Sequence, residues 1–369
     1  MKVTEKRNIK ELTVLQKKQQ EYWTKRAENL YIAGEKDALQ VAKELKTLYE
    51  RATKEIEKEI NAFYGRYATE NGLSYEDAKK LLNKSELKSF KQNIQELLAL
   101  GKKQDLQPSQ LNQFKKLYIK TRISRLEELE ANIRWELYQL ANKTENKIGD
   151  LLYNTYEEGY YKTVYNDQQF LGVSSSFSGL NAEAIEKAIT TKYLAENYST
   201  SIWQNTDRLM TTLTKEIPRG LILGYNPNKL ARQVVSKKVD KTAYNNTVRL
   251  IRTEYGKILN DATLDGYKQA GINGYQILTA LDARTCTDCA PLNETIIPIN
   301  EAEIGVNLPP FHPNCRCTTI PYFKPDEIDE MTEEELDKIG FITYDEWKNG
   351  LIKLENGKVK YSPDAKIED

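Results

Sequence analysis

Between about residues 12 and 67, apolar side chains recur at spacings of three and four, through Leu39, Ala42, Leu45, Tyr49, Ala52, Ile56, Ile60, Phe63 and Tyr67, with Lys and Glu between them. That period matches the 3.6-residue turn and predicts one long amphipathic helix with a single core-facing stripe, broken or bent at Gly34. A second helical block is expected from Ser74, where Ser-Tyr-Glu-Asp offers an N-cap, and a third from about 110 to 161 after Gly101 and Pro108. Its stripe of Trp135, Leu137, Leu140 and Ile148 reads as core. Helices of such length are expected to pack antiparallel as an elongated bundle.

The periodicity stops at Leu171-Gly-Val-Ser-Ser-Ser-Phe-Ser-Gly179. Small polar residues without a period bury little surface, so this stretch is predicted to be a linker. Helical patterns resume over 181–192, 198–217, 227–237 and 240–271. They give way to Tyr275-Gln-Ile-Leu-Thr-Ala-Leu281, a short alternating run expected to be a strand, and to a Pro- and Cys-rich segment reaching Tyr322 that cannot be helical. Beyond Pro325 a capping box, Thr332 with Glu335, precedes a short helix, then Trp347 and a possible hairpin at Asn356-Gly357. The expected fold is mainly α, with an elongated helical N-terminal bundle (1–170) and a linker (171–179). A smaller α+β C-terminal domain (180–323), closed by a Cys/His zinc-like clasp, and an acidic tail or small subdomain (324–369) complete it.

Composition narrows the function classes. The 369 residues are 39% hydrophobic and 29% charged, and mean hydropathy is -0.67. No run approaches the roughly 18–20 apolar residues of a membrane span, and the N-terminal Met-Lys-Val-Thr-Glu-Lys-Arg lacks the apolar core of a signal peptide. The 54 basic and 54 acidic side chains hide an asymmetry: residues 324–369 hold 7 basic against 14 acidic groups, leaving 47 against 40 elsewhere. A +7 body is too dilute to define a nucleic-acid domain on charge alone.

All four cysteines and the single histidine fall between residues 286 and 317, as Cys286-x2-Cys289, twenty-two intervening residues, then His312-x2-Cys315-x-Cys317. A Cys-x2-Cys turn presents two thiolates to one point, and a second close-spaced group completes a tetrahedron, the arrangement of a structural zinc site. Five donors compete for four positions. Disulfides need an oxidising compartment for which there is no export signal, and free thiols without metal are the other alternative. A catalytic zinc is disfavoured, because no general base is evident beside the cluster. His-based triad or nuclease chemistry would need His312, which the cysteines surround, and no Walker-type phosphate loop is present. The chain is therefore not expected to be an enzyme.

Leu250-Ile-Arg-Thr-Glu-Tyr255, Gly271, Leu281-Asp-Ala-Arg-Thr-Cys-Thr-Asp-Cys289 with Leu292, and His312-Pro-Asn-Cys-Arg-Cys317 together resemble the phage Mu F-like minor head protein family, the phage head morphogenesis domain, over about 190–322. The resemblance implies a minor capsid protein of a tailed bacteriophage or prophage, made in the bacterial cytoplasm and incorporated inside the procapsid near the portal. It also implies partners among the portal protein, scaffold and major capsid protein, with a role in assembly and possible involvement in DNA packaging or ejection. No membrane span and no small-molecule substrate are expected. Within the motifs, Arg252, Glu254, Asp282 and Arg284 read as architectural, pairing helix with loop so that the clasp is locked to the helical body. Two other functions compete: a phage-delivered enzyme or toxin, for which the tail is short, and a head accessory protein whose +7 body contacts DNA phosphates without reading sequence.

Overall fold

A computed structural model describes residues 14–70, 125–172, 174–193, 196–222, 227–279, 285–324, 342–354 and 356–363. The helix expected from Ser74, Asp282, Arg284 and the capping box at Thr332 lie outside them.

Helix α1 (Val14–Glu70) is continuous. The expected break at Gly34 does not occur, because that glycine serves close packing instead: a Cβ there would lie 2.5 Å from Tyr255 Cε2. Helix α2 (Arg125–Leu171) follows, then strand β1 (Phe177–Ser178) and helix α3 (Ala182–Thr190). Asn181 caps α3, accepting the Ala184 N–H through its side chain. Helix α4 (Tyr198–Ile222) runs through Pro218, where the sequence pattern had suggested an end. Helix α5 (Pro227–Leu230) leads into a thirteen-residue π-helix (Ala231–Ala243), which continues into α6 (Tyr244–Ala270).

Strands β2 (Gly274–Leu278), β3 (Ile296–Pro298) and β4 (Thr318–Tyr322) form an antiparallel sheet of order β3-β2-β4. Tyr275 stands opposite Ile297 on one side and Pro321 on the other. Near the C-terminus, helix α7 (Tyr344–Asn349) and strands β5 (Leu351–Lys353) and β6 (Lys358–Tyr361) follow. Thr343 and Glu346 form a capping box at the start of α7. The Asn356-Gly357 turn signal is realised, with Gly357 at φ 74° between antiparallel β5 and β6.

Phe177, set in the stretch expected as a linker, is buried and pairs with Val359, so β1 becomes the third strand of a β1-β6-β5 sheet. Its ring stacks on Trp347 at 5.7 Å, and the Trp347 indole N–H donates to Gln168 Oε1 at 3.1 Å. Lys348 pairs with Glu158 on α2. These contacts hold the C-terminal helix and hairpin against α2 and β1.

The chain forms two compact units, each assembled from segments distant in sequence. One comprises the described parts of Met1–Ala42, Asn146–Ser201 and Val248–Asp369; the other comprises those of Lys43–Glu145 and Ile202–Thr247. The core of the first gathers Trp23, Phe170, Tyr267, Tyr275, Ile320 and Phe323. That of the second gathers Ile56, Phe63, Leu137, Leu213, Val235 and Val239. Both follow from apolar stripes meeting a common interior. No described helix is long and apolar enough to cross a membrane.

Candidate metal centre

Cys286 and Cys289 lie in the connection between β2 and β3, and His312, Cys315 and Cys317 in the connection between β3 and β4, each group of donors set on a turn. In the first, Ala290 N–H donates to the Cys286 carbonyl at 3.1 Å and Leu292 N–H to the Cys289 carbonyl at 2.9 Å. This curls the chain so that the Cys289 N–H reaches Cys286 Sγ at 3.3 Å. In the second turn, Cys315 N–H donates to the His312 carbonyl at 3.1 Å. Asn314 holds φ 61° there, a left-handed conformation that asparagine tolerates better than most residues.

The two turns bring all five candidate donors together. His312 Nε2 lies 3.1 Å from Cys286 Sγ and 3.1 Å from Cys289 Sγ, and Cys289 Sγ lies 3.8 Å from Cys315 Sγ. Cys286, Cys289 and His312 form one close triad, and Cys289, Cys315 and Cys317 another, so Cys289 belongs to both. Cys289, Cys315 and Cys317 are buried, while Cys286 is half-buried. No disulfide joins the four cysteines. A tetrahedral ion bound at about 2.3 Å by thiolates sets its sulfurs about 3.8 Å apart, the separation seen between Cys289 and Cys315. The sulfur–nitrogen separations are a few tenths of an ångström shorter than such a polyhedron requires. The cluster can hold a metal ion.

His312 Nδ1 is 2.9 Å from the Pro313 carbonyl. With its proton placed there, Nε2 keeps a lone pair directed at the sulfurs, the tautomer that metal-binding histidines adopt. The thiols are too close to ionise independently. Chiefly through a hydrogen bond from the Cys317 thiol, against the opposing effect of burial, the Cys315 thiol is pulled down to about 5. Burial first, then hydrogen bonding with Cys286 and the field of Cys315, pushes Cys289 up to about 12. The same contact with Cys315, together with burial, pushes Cys317 upward. Against burial, hydrogen bonds from Cys289 also hold the Cys286 thiol below its ordinary value, so the four thiols ionise unequally, and a cation in their midst would favour ionising them together.

Helix α6 braces the second turn. Thr253 Oγ1 accepts the Asn314 N–H at 3.0 Å, and Asn260 Nδ2 donates to the Cys317 carbonyl at 3.3 Å. From α1, the Tyr31 hydroxyl donates to the Cys315 carbonyl at 3.4 Å, while the Tyr255 hydroxyl donates to the Tyr31 carbonyl at 2.7 Å. Sequence reasoning missed Thr253, Asn260, Tyr31 and Tyr255 as supports. The available signal was the seven-residue spacing of Thr253 and Asn260 on one face of a long helix, set between apolar positions.

Of the four residues read as architectural, Arg252 is exposed. Glu254 is buried, its Oε2 has no hydrogen-bond partner, and burial raises its carboxyl to about 7 against the opposing charge of Lys257. Lys257 is itself fully buried, donating to the carbonyls of Ala188 at 3.1 Å and Thr191 at 2.9 Å, and lies 3.6 Å from Asp261. The pairing expected between this helix and Asp282 or Arg284 falls outside the described residues.

Both halves of the cluster, and the α6 face that braces it, lie in a segment shared with known proteins. Residues 211–320 match the phage Mu protein F like proteins. This Mu F-like segment takes in α6, strands β2 and β3, the first three residues of β4 and all five donors. A further similarity is to the NAD(+)--arginine ADP-ribosyltransferase EFV of Enterococcus faecalis, 25% identical over 228 residues, which cover 55% of this chain and 45% of that protein. The chain thus spans less than half the length of that relative. No solved structure matches.

Proposed function

We propose that this chain is a minor head protein of a tailed bacteriophage or prophage, built into the procapsid interior near the portal and acting in head assembly. The observation that carries the reading is that residues 211–320, which support a role in phage head morphogenesis, enclose the whole Cys/His cluster and its bracing helix. Portal protein, scaffold or major capsid protein would be its partners, with DNA packaging or ejection as later steps it influences. The ion is zinc, in a structural role: nitrogen and sulfur donors suit it, and three thiols with one imidazole fill a tetrahedron with no open position. Bound zinc would neutralise the thiolates and fasten the Cys286–Cys289 turn to the His312–Cys317 turn.

The same geometry supports a non-enzymatic reading. The one histidine has Nε2 among the sulfurs and Nδ1 against Pro313, so neither ring nitrogen is available to move a proton on a substrate. The similarity to an ADP-ribosyltransferase supports a second reading, a phage-delivered enzyme. Incubation of the purified chain with NAD(+) and an arginine acceptor is expected to yield no transfer; turnover dependent on intact protein would favour the enzyme instead.

The decisive experiment is quantitative mass spectrometry of purified particles and procapsids, set against portal and major capsid protein. A low, constant copy number in procapsids is expected. Protein found only in the free lysate would overturn the head reading.

A further inference from the structure

The second unit contains an unusual element. The π-helix Ala231–Ala243 is wound by i→i+5 hydrogen bonds, so it returns to one face roughly every four to five residues. Its apolar residues Ala231, Val234, Val235 and Val239 are buried. Arg232, Lys237 and Lys241 follow one another at spacings of five and four, and all three are exposed. In an α-helix, at about 100° per residue, Lys237 would stand about 140° around from Arg232. Here the looser winding brings the three cations to one open groove of 560 Å³, which they line with Gln233, Ser236 and Glu216. The Thr242 hydroxyl, donating to the Lys237 carbonyl at 3.1 Å, follows the same five-residue step.

We propose that this groove binds the phosphate backbone of duplex DNA. Three cations face the lining carboxylate Glu216, and Glu57 of α1 lies within the field of Arg232. The nearby acid Asp240 is engaged by the Thr53 hydroxyl at 2.6 Å and the Ser236 hydroxyl at 3.2 Å. A DNA strand presents a negative charge about every 3.4 Å, so a row of cations along two helical turns meets a continuous row of phosphates. The groove has no aromatic lining residue, which is the platform that single-strand binding uses, so the backbone of a duplex is the better match. Gln233 can donate to phosphate oxygens, and nothing in the lining selects a base sequence. The proposal rests on the head reading only in that packaged DNA is then the duplex at hand.

The test is fluorescence anisotropy of the full chain with a mixed-sequence duplex of about 30 base pairs, across salt from about 50 to 200 mM. Three phosphate contacts predict a log–log salt slope of roughly -2.7. The triple variant Arg232→Gln, Lys237→Gln, Lys241→Gln is expected to weaken binding at the lowest salt at least tenfold and to flatten the slope to near zero. Lys353→Gln, Lys358→Gln, Lys360→Gln removes the same charge from exposed positions of β5 and β6 and is expected to retain the wild-type slope. If the first triple lowers thermal stability, Lys237→Glu alone makes the same comparison. Absence of wild-type binding, or equal weakening by both triples, overturns the proposal. Duplex binding by a protein missing from particles would instead sink the head reading while leaving the groove assigned.

Discussion

The Thr253 hydroxyl joins α6 to the turn that carries His312 and Cys315, and its removal should be felt in metal affinity. It accepts the Asn314 N–H at 3.0 Å and donates to the Arg249 carbonyl at 2.8 Å. Thr253→Val keeps the volume and the branching at this buried position, so packing is preserved and only the polar link is lost. Arg249 keeps its helical partner. Asn314, held at φ 61° between the candidate ligands His312 and Cys315, loses the bond that fixes its turn. An exposed Asn314 regains part of that bond from water, so the stability change should be about 1 kcal/mol rather than the full desolvation cost. Supports one step removed from a ligand typically change metal affinity about 10- to 100-fold, and the exposure of Asn314 places the expectation near tenfold. Competition for zinc between the protein and a chromophoric chelator reads this directly, with Thr253→Ser as the variant that restores affinity. Equal affinity in wild type and Thr253→Val, or a serine variant as weak as the valine, would refute the reasoning.

Protein purified without chelator should carry about one zinc per chain by elemental analysis. Cys289→Ser and Cys315→Ser should each lose it, with faster amide exchange over 285–324 and helix content largely kept; full metal in both variants would contradict a structural site. Glu254 adds a pH dependence. Burial raises its carboxyl from 4.5 to about 7, so the folded state holds a proton that the unfolded chain releases. The associated stability is complete below pH 4.5 and lost as pH rises through 7, amounting to about 3 kcal/mol at most. Glu254→Gln should flatten the denaturation midpoint across that window, and an unchanged slope would show that Glu254 is not its source. Trp347→Ala removes a side chain that is 1% exposed and stacks on Phe177. The expected loss is about 3–5 kcal/mol, read as early proteolytic cleavage within 342–363; unaltered cleavage would mean that this ring does not anchor the segment.

Local signals were readable in the sequence, and distant partners were not. The Asn356-Gly357 hairpin is specified by its own turn residues, and the helical stripes of Ile56, Ile60 and Phe63 by a period that repeats every turn. Phe177 fails that logic. Its neighbours are serines and glycines, and its reason for being buried lies in Val359 and Trp347, far along the chain. Gly34 was misread for the same reason, since the side chain that needs its missing Cβ is Tyr255. The π-helix had no such signal, because buried Ala231, Val235 and Val239 step by four and four, as in an α-helix. The pattern suggests two helices, 227–237 and 240–271, whereas the π-helix joins them without a break.

The candidate metal ligands stood out because chemistry limits them to two residue types that are otherwise scarce here, four cysteines and one histidine in 369 residues. Their supports are ordinary threonine, asparagine and tyrosine, among which the chain has many, so composition could not single them out. What distinguishes Thr253 and Asn260 is that they meet backbone groups of a turn whose carbonyls and N–H groups no sheet or helix satisfies. A turn that must aim an imidazole and two thiols at one point cannot also hydrogen-bond its own backbone in a regular ladder. Some nearby rigid element has to supply those bonds, and α6, which continues directly into the strand β2 of the same sheet, is placed to do so. The Mu F-like segment holds this helix and the Cys/His loops within one stretch of sequence, so the helix that braces the second turn is encoded beside the donors it positions.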